Sequence, residues 1–370
     1  MVDVFFRKAS YEDSNFNAVV NELLEATGAG GIQKGAKVLI KPNLLLPAGP
    51  DRGITTHPAV VGAVAAYVVA KGGHPIISDS PGMGSFNKIL RKGGYLDALA
   101  GLDVTLKPFK ESIQVDIGEP FGPIDMAKEV FESDMMINIA KLKTHAKMLL
   151  TLGVKNLFGC IIGLKKPEWH LRAGIDRRMF ARLLVQIYQA IRPDITLVDG
   201  ILAMEGQGPG KSGTPRELSL LVASKDAIAA DMAIASVLGL DPEALYTHRV
   251  AKEMNLSPDS VHIDGDFTIL NDFDFPDIGP LSLGPDFLHR LMRRYVLQKP
   301  VVDNNVCRLC GECWQYCPVK AIDHHIKGIK YNYPDCIRCY CCLEICPHGA
   351  IRMKEPLISK IIRGIRETTT

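Results

Sequence analysis

Eight of the ten cysteines fall into two copies of one spacing near the C-terminus: Cys307, Cys310, Cys313 and Cys317 before Pro318, then Cys336, Cys339, Cys342 and Cys346 before Pro347. Thiolates in a C-x₂-C-x₂-C-x₃-C-P run hold [4Fe–4S] cubes, three neighbouring sulfurs on one cluster and the fourth on the other. Short gaps let a tight loop present three sulfurs to three corners of a cube, and the proline-marked cysteine starts a segment that reaches across. On that logic Cys307, Cys310, Cys313 and Cys346 hold one cluster, and Cys336, Cys339, Cys342 and Cys317 hold the other. The chemistry is electron transfer. Ala321-Ile322 after the first proline is echoed by Ala350-Ile351 after the second, an internal duplication that predicts a pseudo-two-fold module.

Structural zinc and disulfides are the competing uses of such cysteines. Zinc sites usually take two separated pairs of ligands, not four cysteines within eleven residues followed by proline. A chain of this size without a secretory leader points to a reducing, cytoplasmic setting, where grouped thiols bind metal. Cys341 fits no ligand register and reads as a neighbour of the cluster. Cys160, in Leu157-Phe158-Gly159-Cys160, reads as a small buried hydrophobe.

A second set of polar residues sits at predicted strand ends. Lys41-Pro42-Asn43 follows a strand at 37–40, Asp79-Ser80-Pro81-Gly82 one at 75–78, and Lys141-Leu142-Lys143-Thr144-His145 one at 135–139. Asp199-Gly200 ends a strand at 195–198 and leads to Met204-Glu205-Gly206-Gln207-Gly208-Pro209-Gly210. If these strands are parallel neighbours, Lys41, Lys141, Lys143, His145, Asp79, Asp199 and Glu205 line one crevice suited to a small anionic ligand. Thr55-Thr56-His57-Pro58 adds hydroxyls, an imidazole and free N–H groups at a helix start, where the macrodipole favours anions. The same four residues also suit an ordinary N-cap with Pro in the first turn. Lys147, Lys155, Lys165, Lys166 and His170 surround a Gly-dotted stretch, 153–163, that reads either as a lid or as a solvated loop. Asp226 and Asp231 read as cation ligands, and Asp226 equally as a helix cap.

The elements that must position these groups alternate apolar strands with helical patterns over the first three hundred residues. Strands at 37–40, 75–79, 135–139, 195–199 and 218–222 alternate with helices at 58–70, 180–191 and 227–238. That alternation predicts an α/β domain with a mainly parallel central sheet covered on both faces, and ligands gathering at carboxyl ends of strands. The expected division is an α/β domain at 1–296, a small α+β two-cluster domain at 297–356, and a helix and tail at 357–370. Phe287 to Val296 reads as an amphipathic connector and Leu357 to Arg366 as a basic tail helix.

Composition places the chain among ordinary packed proteins: 370 residues, 47% hydrophobic, 23% charged and net charge +2. The small net charge excludes a strongly polyanionic partner as the default, and 7% aromatic content with dispersed basic residues argues against nucleic acid. The C-terminal region is mildly basic, which suits an acidic redox partner or simply a solvated surface. The longest apolar stretch, Ala59 to Ala70, is too short to span a bilayer, so no membrane association is expected. The stretch 206–212 does not fit a Walker frame, and no G-x-G-x-x-G fingerprint is present.

Together these motifs resemble the domain-of-unknown-function family 362, in members fused to a C-terminal bacterial-type two-[4Fe–4S] ferredoxin. The match runs through Lys41-Pro42-Asn43-Leu44, Thr55-Thr56-His57-Pro58, Asp79-Ser80-Pro81-Gly82, Asn138 to His145, Thr151 to Asn156, Asp199-Gly200-Ile201, Met204-Glu205-Gly206 and Ser224-Lys225-Asp226, then the cysteine runs. The resemblance implies an iron–sulfur protein of redox metabolism and brings no assigned catalyst or substrate.

Two functions fit. In the first, an oxidoreductase passes electrons through two [4Fe–4S] clusters to an anionic substrate or organic cofactor beside Lys41, His57, Lys141, Lys143, His145, Asp199 and Glu205. Lysines would neutralise its charge, and a His or Lys would deliver a proton. In the second, the chain is an electron carrier whose α/β domain only docks a partner redox enzyme or senses a metabolite. A nucleotide-dependent ligase or transferase is disfavoured by the missing phosphate loop.

Overall fold

A computed structural model describes residues 1–162, 165–174, 176–265, 267–276, 298–326, 328–354 and 356. The connector expected over 287–296, the tail helix expected over 357–366 and the domain boundary at 296/297 lie outside the described residues.

The strands of the large domain are β1 (Val2–Lys8), β2 (Lys37–Pro42), β3 (His74–Ile77), β4 (Thr105–Leu106), the small hairpin β5 (Ser112–Asp116) and β6 (Pro123–Ala127), β7 (Met135–His145), β8 (Leu149–Thr151), β9 (Ile195–Gly206), β10 (Gly213–Ser224) and β11 (Val261–Asp264). The central sheet runs β11-β1-β10-β9-β7-β2-β3-β4, with β8 folded back against β7. The five strands from β9 to β4 are parallel, as their Val- and Ile-rich runs predict for a sheet buried on both faces. The strand at 218–222 departs from that pattern: it belongs to β10, antiparallel to both β9 and β1. The stretch 206–212 is the tip of the β9–β10 hairpin, so chain reversal, not a phosphate loop, explains its glycines.

The pleat divides the apolar residues between two layers. Val38, Ile40, Ile137 and Ile139 pack with the helices Phe16–Ala26 and Pro58–Ala70 on one face. Leu39 and Met136 face the opposite side, with the helix Arg177–Ile191. Further along that sheet Ala140, Leu142 and Val198 pack with Ala227–Val237.

The C-terminal module is two antiparallel ribbons, β12 (Lys299–Val302) with β15 (Ile351–Lys354) and β13 (Ile322–His325) with β14 (Gly328–Tyr331), and two short helices, Glu312–Gln315 and Cys341–Ile345. Ala146, in the β7–β8 turn of the large domain, is buried in this module's core beside Tyr340 and Leu343. The β9–β10 tip holds its other side: Gln207 Oε1 accepts from Met353 N at 2.9 Å, and Ser212 Oγ donates to Ile351 O at 2.8 Å. A Cβ on Gly210 would lie 2.6 Å from Glu344 O, so only glycine permits this approach.

Candidate functional site

A cavity of about 90 Å³ opens where the two modules meet. The large domain contributes Lys41, Asp79, Lys143, Lys155, Lys166 and His170 to its wall, and the cluster module contributes Tyr316, Cys341, Glu344 and Ile345. Lys41 shares Leu39's face of β2 and pairs with Asp79 at 3.0 Å, both buried. Gly159 makes room for that pair, because a Cβ there would lie 2.6 Å from Lys41 Nζ.

Lys143 donates to Asn43 Oδ1 at 2.9 Å and to Ile54 O at 2.6 Å. Burial, and then Lys155 nearby, push its ammonium down to about 7. Lys166 donates to Ser80 O, and burial lowers it to about 8, Asp79 opposing and Lys41 assisting. Lys155 is lowered by burial against the attraction of Glu344. Lys155, inside the stretch 153–163 whose sequence suggested a lid or a solvated loop, and Lys166 and His170, just after it, thus belong to the cavity wall. Lys147, also buried, donates away from the cavity to Gly174 O.

His145 stands behind Glu344, Nε2 to Oε1 at 2.8 Å. Two backbone groups, Lys147 N and Met148 N, donate to its Nδ1 at 3.0 and 3.1 Å, which fixes the proton on Nε2. Burial, with Lys155 next, pushes His145 down to about 4, so the ring is neutral; its Nε2 lies close to the Glu344 carboxylate but out of line for a hydrogen bond. Burial would raise the Glu344 carboxyl, but the surrounding His145, Lys155 and His170 outweigh it and keep Glu344 ionised.

Lys141, His57 and Asp199 lie elsewhere. Lys141 shares the face of Ile137 and Ile139, opposite to Lys41, so the pleat sends these two lysines to different layers. Lys141 Nζ meets Asp199 Oδ2 at 2.8 Å and Tyr11 OH at 3.0 Å, and Tyr11 donates to Asp199 Oδ1 at 2.6 Å. His57 caps the helix Pro58–Ala70, stacks its ring on Tyr11 at 3.6 Å and donates its backbone N–H to Asp199 Oδ2 at 2.8 Å. The anion at this helix start is therefore the chain's own Asp199, in a buried network outside the cavity. Glu205 pairs with Arg216 at 2.8 Å at the hairpin. Asp226 caps Ala227–Val237, and Asp231 accepts from Gly153 N and Val154 N, so both carboxylates serve as helix caps. Cys160 is fully buried in the apolar layer.

The cysteine loops fit iron–sulfur cubes. Cys317, Cys336, Cys339 and Cys342 line one small cavity. The Cys313 thiol is raised to about 12 by burial first and then by Cys346, Cys310 and Cys307, the other four-cysteine group. Ala321 N donates to Cys317 Sγ and Ala350 N to Cys346 Sγ, both at 3.3 Å, so the duplication extends to the sulfur hydrogen bonds. Non-glycine residues stand in the left-handed region at matching places, Leu309 (φ 50) with Arg338 (φ 56), and Tyr340 (φ 60) matches Gly311 (φ 98). Such backbone is unfavourable alone and turns successive N–H groups inward, as anionic clusters require.

Sequence reasoning did not single out Tyr11, Tyr316 or Glu344. Glu344 had a signal: it interrupts apolar Leu343 and Ile345, and its counterpart in the first repeat is the neutral, exposed Gln315.

The profile of Domain of unknown function (DUF362) matches residues 38–236, and that of a 4Fe-4S dicluster domain matches 299–347. A thylakoid-associated protein of Synechocystis sp. is 40% identical over 259 residues, 70% of this chain and 80% of that protein. Pyruvate synthase subunit PorD of Thermotoga maritima is 36% identical over 61 residues, 16% of this chain and 60% of that subunit. The lactate racemase apoprotein of Thermoanaerobacterium thermosaccharolyticum aligns with a TM-score of 0.42 at 11% identity, covering 65% of this chain and 58% of that one. Among the described residues no helix is long and apolar enough to cross a membrane. The chain belongs to the DUF362 family and carries a C-terminal ferredoxin-type domain whose cofactors are [4Fe–4S] clusters.

Proposed function

We propose that this chain is an iron–sulfur redox protein in which a small anion, held in the cavity between the modules, exchanges electrons with the dicluster domain. One observation carries this reading: Cys341 lines the lysine-rich cavity and also the small cavity ringed by Cys317, Cys336, Cys339 and Cys342. When bound, the clusters take up and release single electrons. Cys307, Cys310, Cys313 and Cys346 would hold one, and Cys336, Cys339, Cys342 and Cys317 the other.

Lys41 and Lys143, with Lys155 and Lys166, neutralise the anion inside a water-poor wall, where fixed charges act more strongly than in solvent. Lys143, lowered to about 7, holds a proton it can release to a reduced ligand near neutral pH. His57, Lys141 and Asp199 are positioning residues that tie the ends of β7 and β9 to the helix Pro58–Ala70, and His145 orients Glu344. Glu205 steadies the hairpin that grips the cluster module. A redox partner protein docks on the other side, where Cys310 is exposed. The relative named as a pyruvate synthase subunit supports a partner of that kind. We divide the chain functionally at 1–296, 297–356 and 357–370.

The test is oxygen-free purification with iron and sulfide counting, then mass spectrometry of the ligand released from oxidised and reduced protein. Recovery of a reduced form of the ligand, with loss of the reduced-cluster paramagnetic resonance signal, supports the proposal. A ligand recovered unchanged, with the signal undiminished, assigns the α/β domain to docking or sensing instead.

A further inference from the structure

We infer that the cavity selects a small dianion over monoanions, its two charges on a dicarboxylate or on one phosphate- or sulfate-like group. The inference rests on the cavity being the ligand site proposed above, and it names the class of ligand.

Charge balance carries it. The wall holds four ammonium groups, Lys41, Lys143, Lys155 and Lys166, against two carboxylates, Asp79 and Glu344. Asp79 is committed to Lys41 at 3.0 Å, and His145 is neutral. Below about pH 7, where Lys143 carries its proton, Glu344 alone then faces three cations, an excess of two positive charges. Among the described residues none of Lys143, Lys155 and Lys166 forms an ion pair with a carboxylate. Their direct hydrogen-bond and ring partners are neutral: Asn43 Oδ1 and Ile54 O for Lys143, Ser80 O for Lys166, and the Phe158 ring 5.8 Å from Lys155 Nζ. Uncompensated charge in such a site is unfavourable, and two negative charges remove the imbalance where one leaves half of it.

A separate observation points to a ligand. His170 is 3% exposed and lines the cavity, with its ring stacked on Phe180 at 4.3 Å, yet among the described residues its Nδ1 has no hydrogen-bond partner. Asp79 Oδ1 and Glu344 Oε1 on the same wall likewise lack hydrogen-bond partners among the described residues; buried polar atoms are nearly always satisfied, so a ligand together with ordered water completes these groups. The cavity space of about 90 Å³ suits a small ligand.

The experiment is calorimetric titration of the reconstituted, full-length protein under argon with sulfate, phosphate, malonate and acetate at constant ionic strength. At least one dianion is expected to bind tenfold or more tighter than acetate. Malonate ahead of sulfate and phosphate identifies a dicarboxylate site, and the reverse order an oxyanion site. K155Q and K166Q should each weaken the preferred dianion by tenfold or more while changing acetate by less than threefold. Acetate within threefold of every dianion, or no binding by any probe, overturns the inference, and that comparison needs only the wild-type protein. Dianion preference without electron exchange would leave this inference standing and remove the redox reading. Electron exchange with a monoanion would do the opposite.

Discussion

His145 of the large domain and Glu344 of the cluster module meet with Nε2 2.8 Å from Oε1, under the floor of the cavity that both modules build. The imidazole is held by two backbone donors on its far nitrogen, so its remaining proton has one direction in which to point. The contact makes the position of the helix Cys341–Ile345, and with it Cys341, depend on the end of β7.

Glu344→Gln should loosen that coupling. Glu344 is buried against His145 and the lysines of the cavity wall, so neutralising it should cost about 1–3 kcal/mol, and the midpoint of thermal unfolding should fall by several degrees. Hydrogen exchange should rise in 146–148 and 341–345. Glu205→Gln, whose partner Arg216 is partly exposed, should cost under about 1 kcal/mol. Equal effects of the two variants on exchange at 341–345 would refute the coupling.

Gly210→Ala tests the grip of the β9–β10 tip. The new Cβ would lie 2.6 Å from Glu344 O, backbone against backbone, with no flexible side chain to give way. The large domain should keep its unfolding midpoint, while limited proteolysis releases the cluster module sooner than in wild type. Gly31→Ala, where nothing stands within 4 Å of the added carbon, is the control. Identical cleavage rates for the two variants would exclude this packing.

The parallel layout, its wrapping helices and the dicluster cysteine runs were all legible, because each leaves a periodic mark in the sequence. The single crevice was not. Strand-end position brought Lys41, Lys141, Lys143 and Asp199 to one edge, but the side a residue faces follows the pleat, which separates Lys41 from Lys141. Asp199 looked like a ligand-binding carboxylate, and only the fold supplies the Tyr11 hydroxyl and the His57 N–H that occupy it. The cavity wall itself needed Glu344 and Tyr316, which lie between 161 and 303 residues from Lys41, Lys143 and Lys155 in sequence. No local pattern encodes that meeting, and Glu344 hid inside the cysteine run.

Removal of single cysteines should divide the iron in a crossed pattern. Cys317→Ser should impair the cluster assigned to Cys336, Cys339 and Cys342, and Cys346→Ser the one assigned to Cys307, Cys310 and Cys313. Each should lower the content from about eight irons toward four. Cys341→Ser should keep the full content, since Cys341 lies outside the ligand spacing. Iron and sulfide counting with resonance spectra of the reduced variants checks all three. Loss of a whole cluster from Cys341→Ser would overturn the ligand assignment.

Lys143 sets an expected pH dependence whose sign follows from its lowered ammonium. Its folded value of about 7 lies below that of an ordinary lysine, about 10.4, because burial disfavours the charged form. Between those two values the unfolded chain binds more protons at this site than the folded one, so this group's contribution to stability increases as pH rises from 7 toward 10. Lys143→Met should flatten that slope, as read by denaturant midpoints at pH 7, 8 and 9. Anion binding works in the other direction, because an anion supplies the charge the lysine lacks. Sulfate, whose own charge is constant over this range, should bind more tightly at pH 6 than at pH 8, and the difference should shrink in Lys143→Met. A sulfate affinity equal at both pH values in wild type would remove Lys143 from the binding site.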